Sequence, residues 1–591
     1  MKLSTDTKRN IPYSLRLPHL LHLEFMLKRY LPILTWLPHY HKRLLGADFL
    51  AGLIVTVMVI PQSLAYALLA GLPAVVGLYA SILPQLVYTL FGTSTTLAVG
   101  PVAIIALMTG AALSSVAATG TEAYLQAALI LSLLSGGILV VMGLLKMGFF
   151  SNFLSHPVIS GFLTASGILI AASQLGSLLG VESSGFTLVE RLITLVPNLP
   201  TFNLTTLLIG SGTLLFLIAM RRHGKATLQK ARLPLSLADL IAKAGPVFAV
   251  VMTTLVTWHW QLADHGVAVV GNIPSGLPAL SFPWADYSLW RALLIPALLI
   301  SLVGFVESVS MGQMLAAKRR QRISPNQELV GLGASNLAAG FSSGMPVTGG
   351  LSRTVINYDA GAQTPAAGAF AALGIALITM SFTGWLYYLP IATLAATITV
   401  SILTLVDIPM LRQTWRYSRS DFAAMAVTIV LTLVEGVEAG IISGVTLSIA
   451  LFLYRTSRPH SALVGRVPGT EHFRNITRHD VETITTIALL RIDESLYFAN
   501  ARYLEDTVYN LVASHPELEH VVLICSAVNL IDASALESLD AINARLKDAE
   551  VKLHLSEVKG PVMDQLKKSD FLDALTGRVF LSTYAAWREF S

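Results

Sequence analysis

The chain predicts a polytopic α-helical membrane protein that ends in a small α/β domain, and three observations carry that expectation. Only 13% of its 591 residues are charged and 54% are hydrophobic, with a mean hydropathy of +0.65. Soluble domains carry about 25% charged residues. No Asp, Glu, Lys or Arg occurs from Phe49 to Thr121, a stretch that holds about three crossings at about 20 residues each. After Ser457 charge returns, and short apolar runs alternate with amphipathic patterns. The net charge of +5 calls for no nucleic-acid partner, because basic residues kept in cytoplasmic loops give the same balance. The single cysteine, Cys525, excludes an intramolecular disulfide and a cysteine metal cluster. A polar, basic arm over 1–45 precedes the first apolar run, and no cleavable signal peptide is expected.

The membrane region is expected over 46–457. Its apolar runs lie at roughly 49–69, 73–92, 98–117, 125–146, 154–180, 203–220, 245–262, 289–316, 326–343, 352–361, 364–385, 389–406, 421–435 and 437–454. That gives about 14 segments, two of them half-helices. Basic clusters fall at Lys28, Arg29, Lys42 and Arg43, at Arg221 to Lys225, at Lys318 to Arg322, at Arg412 to Arg419 and at Arg455 to Arg458. If all are cytoplasmic, even numbers of crossings separate them and both termini are cytoplasmic. Gln261 to Asp286 is then the largest external loop. The tail, 458–591, reads as an independent α/β domain. Strands are expected at Ile484 to Ile492, Val521 to Cys525 and Val551 to His554, and helices at Leu536 to Lys547 and Val562 to Lys568.

An arginine stands where none is expected. Arg353 follows Leu329 to Ser352, which contains no Asp, Glu, Lys or Arg. A cation in a lipid core costs about 2.5–3.5 kcal/mol on insertion scales, so it normally faces water or a ligand. Gly344 to Gly350 cannot continue a helix, so a new one is expected to start near Ser352. Free backbone N–H groups, the positive end of a helix dipole and a guanidinium then converge on an anion site. Glu307 is the second charged residue of interest. Its flanks, Ala292 to Val306 and Ser308 to Ala317, are charge-free. About ten residues of helix at about 1.5 Å each place it about 15 Å from Lys318, at the midplane. A carboxyl there is a candidate for exchanging a proton with a nearby anion site. The alternative is a structural Glu paired with Arg353 or a backbone donor.

A short internal similarity supports a transporter. Ile60 to Ser63 followed by Leu69-Ala70 resembles Val306 to Ser308 followed by Leu315-Ala316. Leu97 to Pro101 opens a helix in the first half as Gly349 to Ser352 does in the second. Inverted repeats with two broken helices meeting at the midplane build many transporter sites.

At these residues a family resemblance becomes specific. Pro61 to Ala67, then Ala70-Gly71-Leu72-Pro73 and Gly77-Leu78-Tyr79, is similar to the signature of the sulfate permease (SulP) family. Gly92-Thr93-Ser94 with Val99 to Ala103 resembles its third-helix motif, and Gly349 to Thr354 with Asn357 and Gly361 its tenth. Val521 to Ile524 leading to Asn529 to Ser534 resembles a sulfate transporter and anti-sigma factor antagonist (STAS) domain. The resemblance implies a seven-plus-seven inverted repeat, a core domain moving against a gate domain, and a homodimer. It implies an anion held between the facing starts of the third and tenth helices. Gly100, Val102 and Ala103 would then face Ser352 and Arg353, with Gln62 and Tyr66 as pocket residues. Sodium-coupled bicarbonate members carry Asp at the position of Glu307 and Thr one turn on. Met311 stands at that later position here, a poor sodium ligand because hard cations prefer oxygen, and this favours protons. In the tail, Asp532 and Ser534 belong to the STAS motif, but Ala533 occupies the place where relatives carry a phosphorylatable hydroxyl. A docking, dimer-stabilising or protein-binding role is therefore expected of the tail.

The leading expectation is a secondary transporter in the cell (inner) membrane that takes up an inorganic oxyanion with a proton, sulfate being favoured. Bicarbonate and dicarboxylates stay open as substrates, as does an uncoupled exchanger or channel. A signalling scaffold is the third class. No enzyme activity, cofactor or metal is expected, because no nucleophile–base pair, metal-ligand spacing or nucleotide loop is present.

Overall fold

The computed structural model describes Lys28 and residues 30–591, apart from 153–154, 231–233, 235–237, 239–240, 281, 284–286, 382 and 404. Most of the N-terminal arm, Arg29, and Trp284 to Asp286 of the expected external loop lie outside the described residues. The chain divides into two compact units, Met1–Thr446 and Leu447–Ser591.

The principal helices of the first unit follow in order: α1 (Lys42–Leu69), α2 (Ala74–Tyr79), α3 (Leu83–Phe91), strand β1 (Val99–Gly100), α4 (Ala103–Ser114), α5 (Glu122–Leu144), α6 (His156–Leu179), α7 (Leu188–Asn198), α8 (Leu204–Ala219) and α9 (Gly245–His259). The second half continues with α10 (Tyr287–Lys318), α11 (Pro325–Phe341), strand β2 (Thr348–Gly349), α12 (Leu351–Asp359), α13 (Ala366–Ser381), α14 (Ile391–Ile402), α15 (Ile408–Tyr417), α16 (Arg419–Val434) and α17 (Val437–Ser457). The division between the units falls inside α17. Every expected membrane segment is occupied by helix. Among the described residues, seven helices, α1, α5, α6 and α10 among them, are long and apolar enough to cross a membrane. The sequence reading passed over α7 and α15. Both are short helices with one apolar face, which pattern-matching for full crossings ignores.

The helices pack in two groups. One joins α1 to α13, α5 to α10 and α11, and α3 to α11; the other joins α6 to α14 and α16, and α8 to α14. Contacts of α1 with α14 and of α4 with α6 form the seam between them. The α5–α11 contact is close because glycines face each other. A Cβ at Gly136 would lie 2.6 Å from the Leu337 amide nitrogen, and one at Gly333 would lie 2.7 Å from that of Val140. Without a hydrophobic drive between helices in lipid, such backbone approach is what holds them.

The tail's first strand is β3 (Ser461–Arg466), followed by β4 (Phe473–Asn475), β5 (Ile487–Ile492), α18 (Ala501–Ser514), β6 (His520–Ile524), α19 (Ala533–Asp548), β7 (Lys552–Ser556), α20 (Gly560–Leu566), β8 (Val579–Phe580) and α21 (Thr583–Phe590). The sheet order is β4-β3-β5-β6-β7-β8, with β5 to β8 parallel and β3 antiparallel to both its neighbours. Alternation along the strands serves two cores. Leu490, Leu523 and Leu553 pack with Leu504 and Leu539, while Leu489, Val522 and Ile524 pack with Phe580 and Trp587. The expected strands and helices are present with ends shifted by up to three residues; β3, β4, β8, α18 and α21 were not anticipated.

Candidate functional site: a crossing of two broken helices

The polypeptide leaves α3 at Gly92 and stays non-helical until Ala103; after α11 it stays non-helical until Leu351. The glycines, Pro101 and Pro346 in these stretches cannot sustain a helical ladder. The freed backbone groups pair instead with each other. β1 and β2 run antiparallel, Val99 opposite Gly349 and Gly100 opposite Thr348. Side chains complete the accounting that a lipid environment demands. Gln85 Oε1 accepts from Val99 N at 2.5 Å, Thr354 Oγ1 from Ala98 N at 3.2 Å, and Ser308 Oγ from Gly349 N at 2.8 Å. Asn357 donates to Thr96 O at 2.9 Å, and Asn336 both donates to and accepts from Val347.

This crossing aims the N-termini of α4 and α12 at one small cavity of about 40 Å³. Val102, Ala103 and Ile104 line it from α4, and Gly350 to Arg353 from α12. First-turn amides have no acceptor within their own helix, and the two positive dipole ends add. The volume exceeds the 10–15 Å³ that a water needs and falls far below the ~300 Å³ of a pocket for larger organic ligands.

Arg353 is 2% exposed. Its only hydrogen bond among the described residues runs from Nη2 to the Pro101 carbonyl, which leaves guanidinium donors for an anion. Gly100 does not line the cavity, but a Cβ there would fall on Arg353 Nη1. Gln62 and Tyr66, both buried, enter from α1, and Gln62 Nε2 donates to Ser352 Oγ at 3.4 Å. Glu307 enters from α10, with Oε2 buried and without a hydrogen-bond partner among the described residues. It forms no direct ion pair with Arg353, although both line the same cavity. The structure therefore brings Gln62, Tyr66, Val102, Ala103, Glu307, Ser352 and Arg353 to one place.

Sequence reasoning missed the opposite wall. Ser401, Ile402 and Leu405, at and beyond the end of α14, close the cavity across the seam. It also missed Gln85, a buried amide on an apolar helix that fixes β1. A polar residue inside an apolar run was the available signal. In the tail, Asp532 caps α19 by accepting from Ala535 N at 2.8 Å, and it accepts from Phe498 N at 2.9 Å. Ser534 is exposed on the first turn of α19, and Cys525 is buried just after β6.

Facing half-helices around a buried cation, in a bundle of apolar helices, define a membrane transporter of anions. The chain belongs to the sulfate permease family: the model described as "Sulfate permease family" matches residues 45–428, and a STAS domain matches 478–586. It is a transporter family, not one of enzymes. The chain is 32% identical over 555 residues to the chloroplastic sulfate transporter 4.1 of Arabidopsis thaliana, covering 92% of this chain and 79% of that one. It is 33% identical over 539 residues to the probable sulfate transporter MT1781 of Mycobacterium tuberculosis, covering 91% and 93%. Its fold is similar to the murine Solute Carrier 26 family member A9 anion transporter in the inward-facing state, with TM-score 0.87 and 24% identity over 99% of this chain and 97% of that one. The transmembrane domain of a cyanobacterium bicarbonate transporter, BicA, gives TM-score 0.59 and 23% identity over 68% of this chain and 98% of that one.

Proposed function

We propose that this protein takes up sulfate together with a proton, by movement of a core group of helices against a gate group. The observation that carries the anion site is Arg353, buried with uncommitted donors where two helix N-termini meet. Sulfate is favoured by the relatives named as sulfate transporters, and the small cavity suits a compact oxyanion better than a dicarboxylate. The proton is assigned to Glu307, whose unpartnered Oε2 shares the cavity with Arg353. A divalent anion entering with a proton moves less negative charge against an inside-negative potential, and each elementary charge is worth about 2.3 kcal/mol per 100 mV. Walls from α1, α4, α10 and α12 on one side and α14 on the other are what a core sliding on a gate requires. The basic clusters orient both termini to the cytoplasm of a cell-membrane protein. The tail, 458–591, is assigned a docking or dimer-stabilising role in a homodimer, open to a cytoplasmic protein partner.

The test is labelled-sulfate uptake by purified protein in liposomes, with and without an inward proton gradient and with competing anions. Acid outside should accelerate uptake and drive accumulation, and bicarbonate should compete weakly. Uptake indifferent to the gradient would contradict proton coupling.

A further inference from the structure

A second cavity, of about 370 Å³, lies on the same seam. Ala65 and Leu69 of α1 and Ala395 and Ile398 of α14 line it; Gln62, Tyr66 and Ile402 of the same two helices line the central cavity. The two spaces are therefore stacked along one interface, about one helical turn or about 5 Å apart. The larger lies toward the C-terminal end of α1, the outer side in the proposed orientation.

Its lining is mixed: apolar side chains of α1 and α14 face Ser114, Ser173, Gln174, Ser177 and Ser183, and among the described residues Arg191 of α7 is its one charged side chain. Two buried atoms there, Arg191 Nε and Ser183 Oγ, have no hydrogen-bond partner among the described residues. The neighbouring acid is committed elsewhere. Glu190 closes the capping box of α7, accepting from Phe186 N at 2.8 Å and Thr187 N at 3.3 Å. Gly185, at φ +121°, turns the preceding loop so that Ser183 and Ser184 reach the cavity; a Cβ there would lie 2.6 Å from Glu190 Cβ. A guanidinium with a buried unpartnered donor, hydroxyl donors and no carboxylate on the wall make an environment for a hydrated anion.

We propose that Arg191, with Ser183, forms an outer staging site for a small inorganic oxyanion, from which the anion passes along the α1–α14 seam to the central cavity. The proposal rests on the reading of the central cavity as the transport site. The experiment is equilibrium binding of radiolabelled inorganic sulfate to purified full-length protein, comparing wild type, Arg353→Ala, Arg191→Ala and the double variant. Arg353→Ala should retain a weaker site that the double variant lacks, and Arg191→Ala should retain the central one. Absence of residual binding in Arg353→Ala, or its survival in the double variant, would overturn the proposal; a lipid phosphate held by Arg191 gives the first of these results. Failure of the central reading looks different, because Arg353→Ala would then bind as wild type does. In uptake, Arg191→Ala should raise the KM for external sulfate about tenfold at unchanged kcat, and Arg191→Lys should restore most of it. A reduced kcat at wild-type KM would contradict a staging role. If Arg191→Ala does not fold, Arg191→Gln and Ser183→Ala on the Arg353→Ala background decide by the same residual binding.

Discussion

Arg353 Nη2 donates to the carbonyl of Pro101, 252 positions away in sequence. The bond ties the start of one half-helix to the start of the other, so the cation and both helix dipoles act at a single point.

Gly100 is the residue that permits this. A Cβ would occupy the space of Arg353 Nη1, so Gly100→Ala should displace the guanidinium and leave the remaining β1–β2 pairing in place. Sulfate affinity should fall about 10- to 100-fold, the equivalent of about 1.5–3 kcal/mol for a charge-assisted hydrogen bond. Isothermal titration of folded Gly100→Ala protein checks this; wild-type affinity would show that Arg353 tolerates displacement.

Glu307→Gln keeps the shape of a protonated carboxyl but cannot release a proton. Binding and sulfate–sulfate exchange should persist, while acceleration by external acid and accumulation against a gradient should be lost. Liposome uptake at equal and unequal pH measures both. Accumulation by the variant under acid outside would remove Glu307 from coupling.

The site was legible where charge interrupts apolar sequence. Arg353 and Glu307 stand out because their neighbours carry no charge, and Gly344 to Gly350 announces a break whatever the surroundings. The α14 wall was not legible: Ser401, Ile402 and Leu405 are neutral residues in an apolar stretch, and only tertiary packing turns them toward Arg353. Gln85 stood out only as one polar residue on an apolar helix, and its bond to Val99 depends on where the crossing places that amide. In the tail, β5 and β6 form the sheet's centre and read as near-continuous apolar runs, and β7 alternates Leu553 and Leu555 with polar residues. The outer strands β4 and β8 are three and two residues long, too short to produce alternation.

The tail carries its own pH dependence. His554 is buried, with Nδ1 accepting from Arg578 N at 3.1 Å and Nε2 lying 3.1 Å from His520 Nδ1. Burial, aided by His520, Arg578 and Lys552, lowers its pKa to about 4. In the unfolded chain it titrates near 6.5, so below that pH the unfolded state takes up a proton that the folded state refuses. Stability is therefore lost as pH falls from about 6.5 towards 4. His554 and His520 both pack on Phe590 of α21. The protection of amides over 583–590, measured as exchange relative to the intrinsic rate at each pH, should fall through that window in the full-length protein, and less so in His554→Phe. Constant protection from pH 7 to 5 would contradict the assignment.

Separate hydrophobic cores serve the two units. Truncation after Arg458 should therefore leave a folded membrane domain that still binds sulfate, with reduced transport or surface expression. A folded truncation that binds no sulfate would make the tail part of the pocket.

The central claim is that Arg353 holds the transported anion. Equilibrium binding of labelled sulfate to purified wild type, Arg353→Ala and Arg353→Lys tests it most directly. Arg353→Ala should lose the high-affinity site while its melting temperature stays close to that of wild type. Arg353→Lys should recover only part of the affinity, because a point charge replaces a planar fork of donors. Wild-type affinity in folded Arg353→Ala protein would contradict the account.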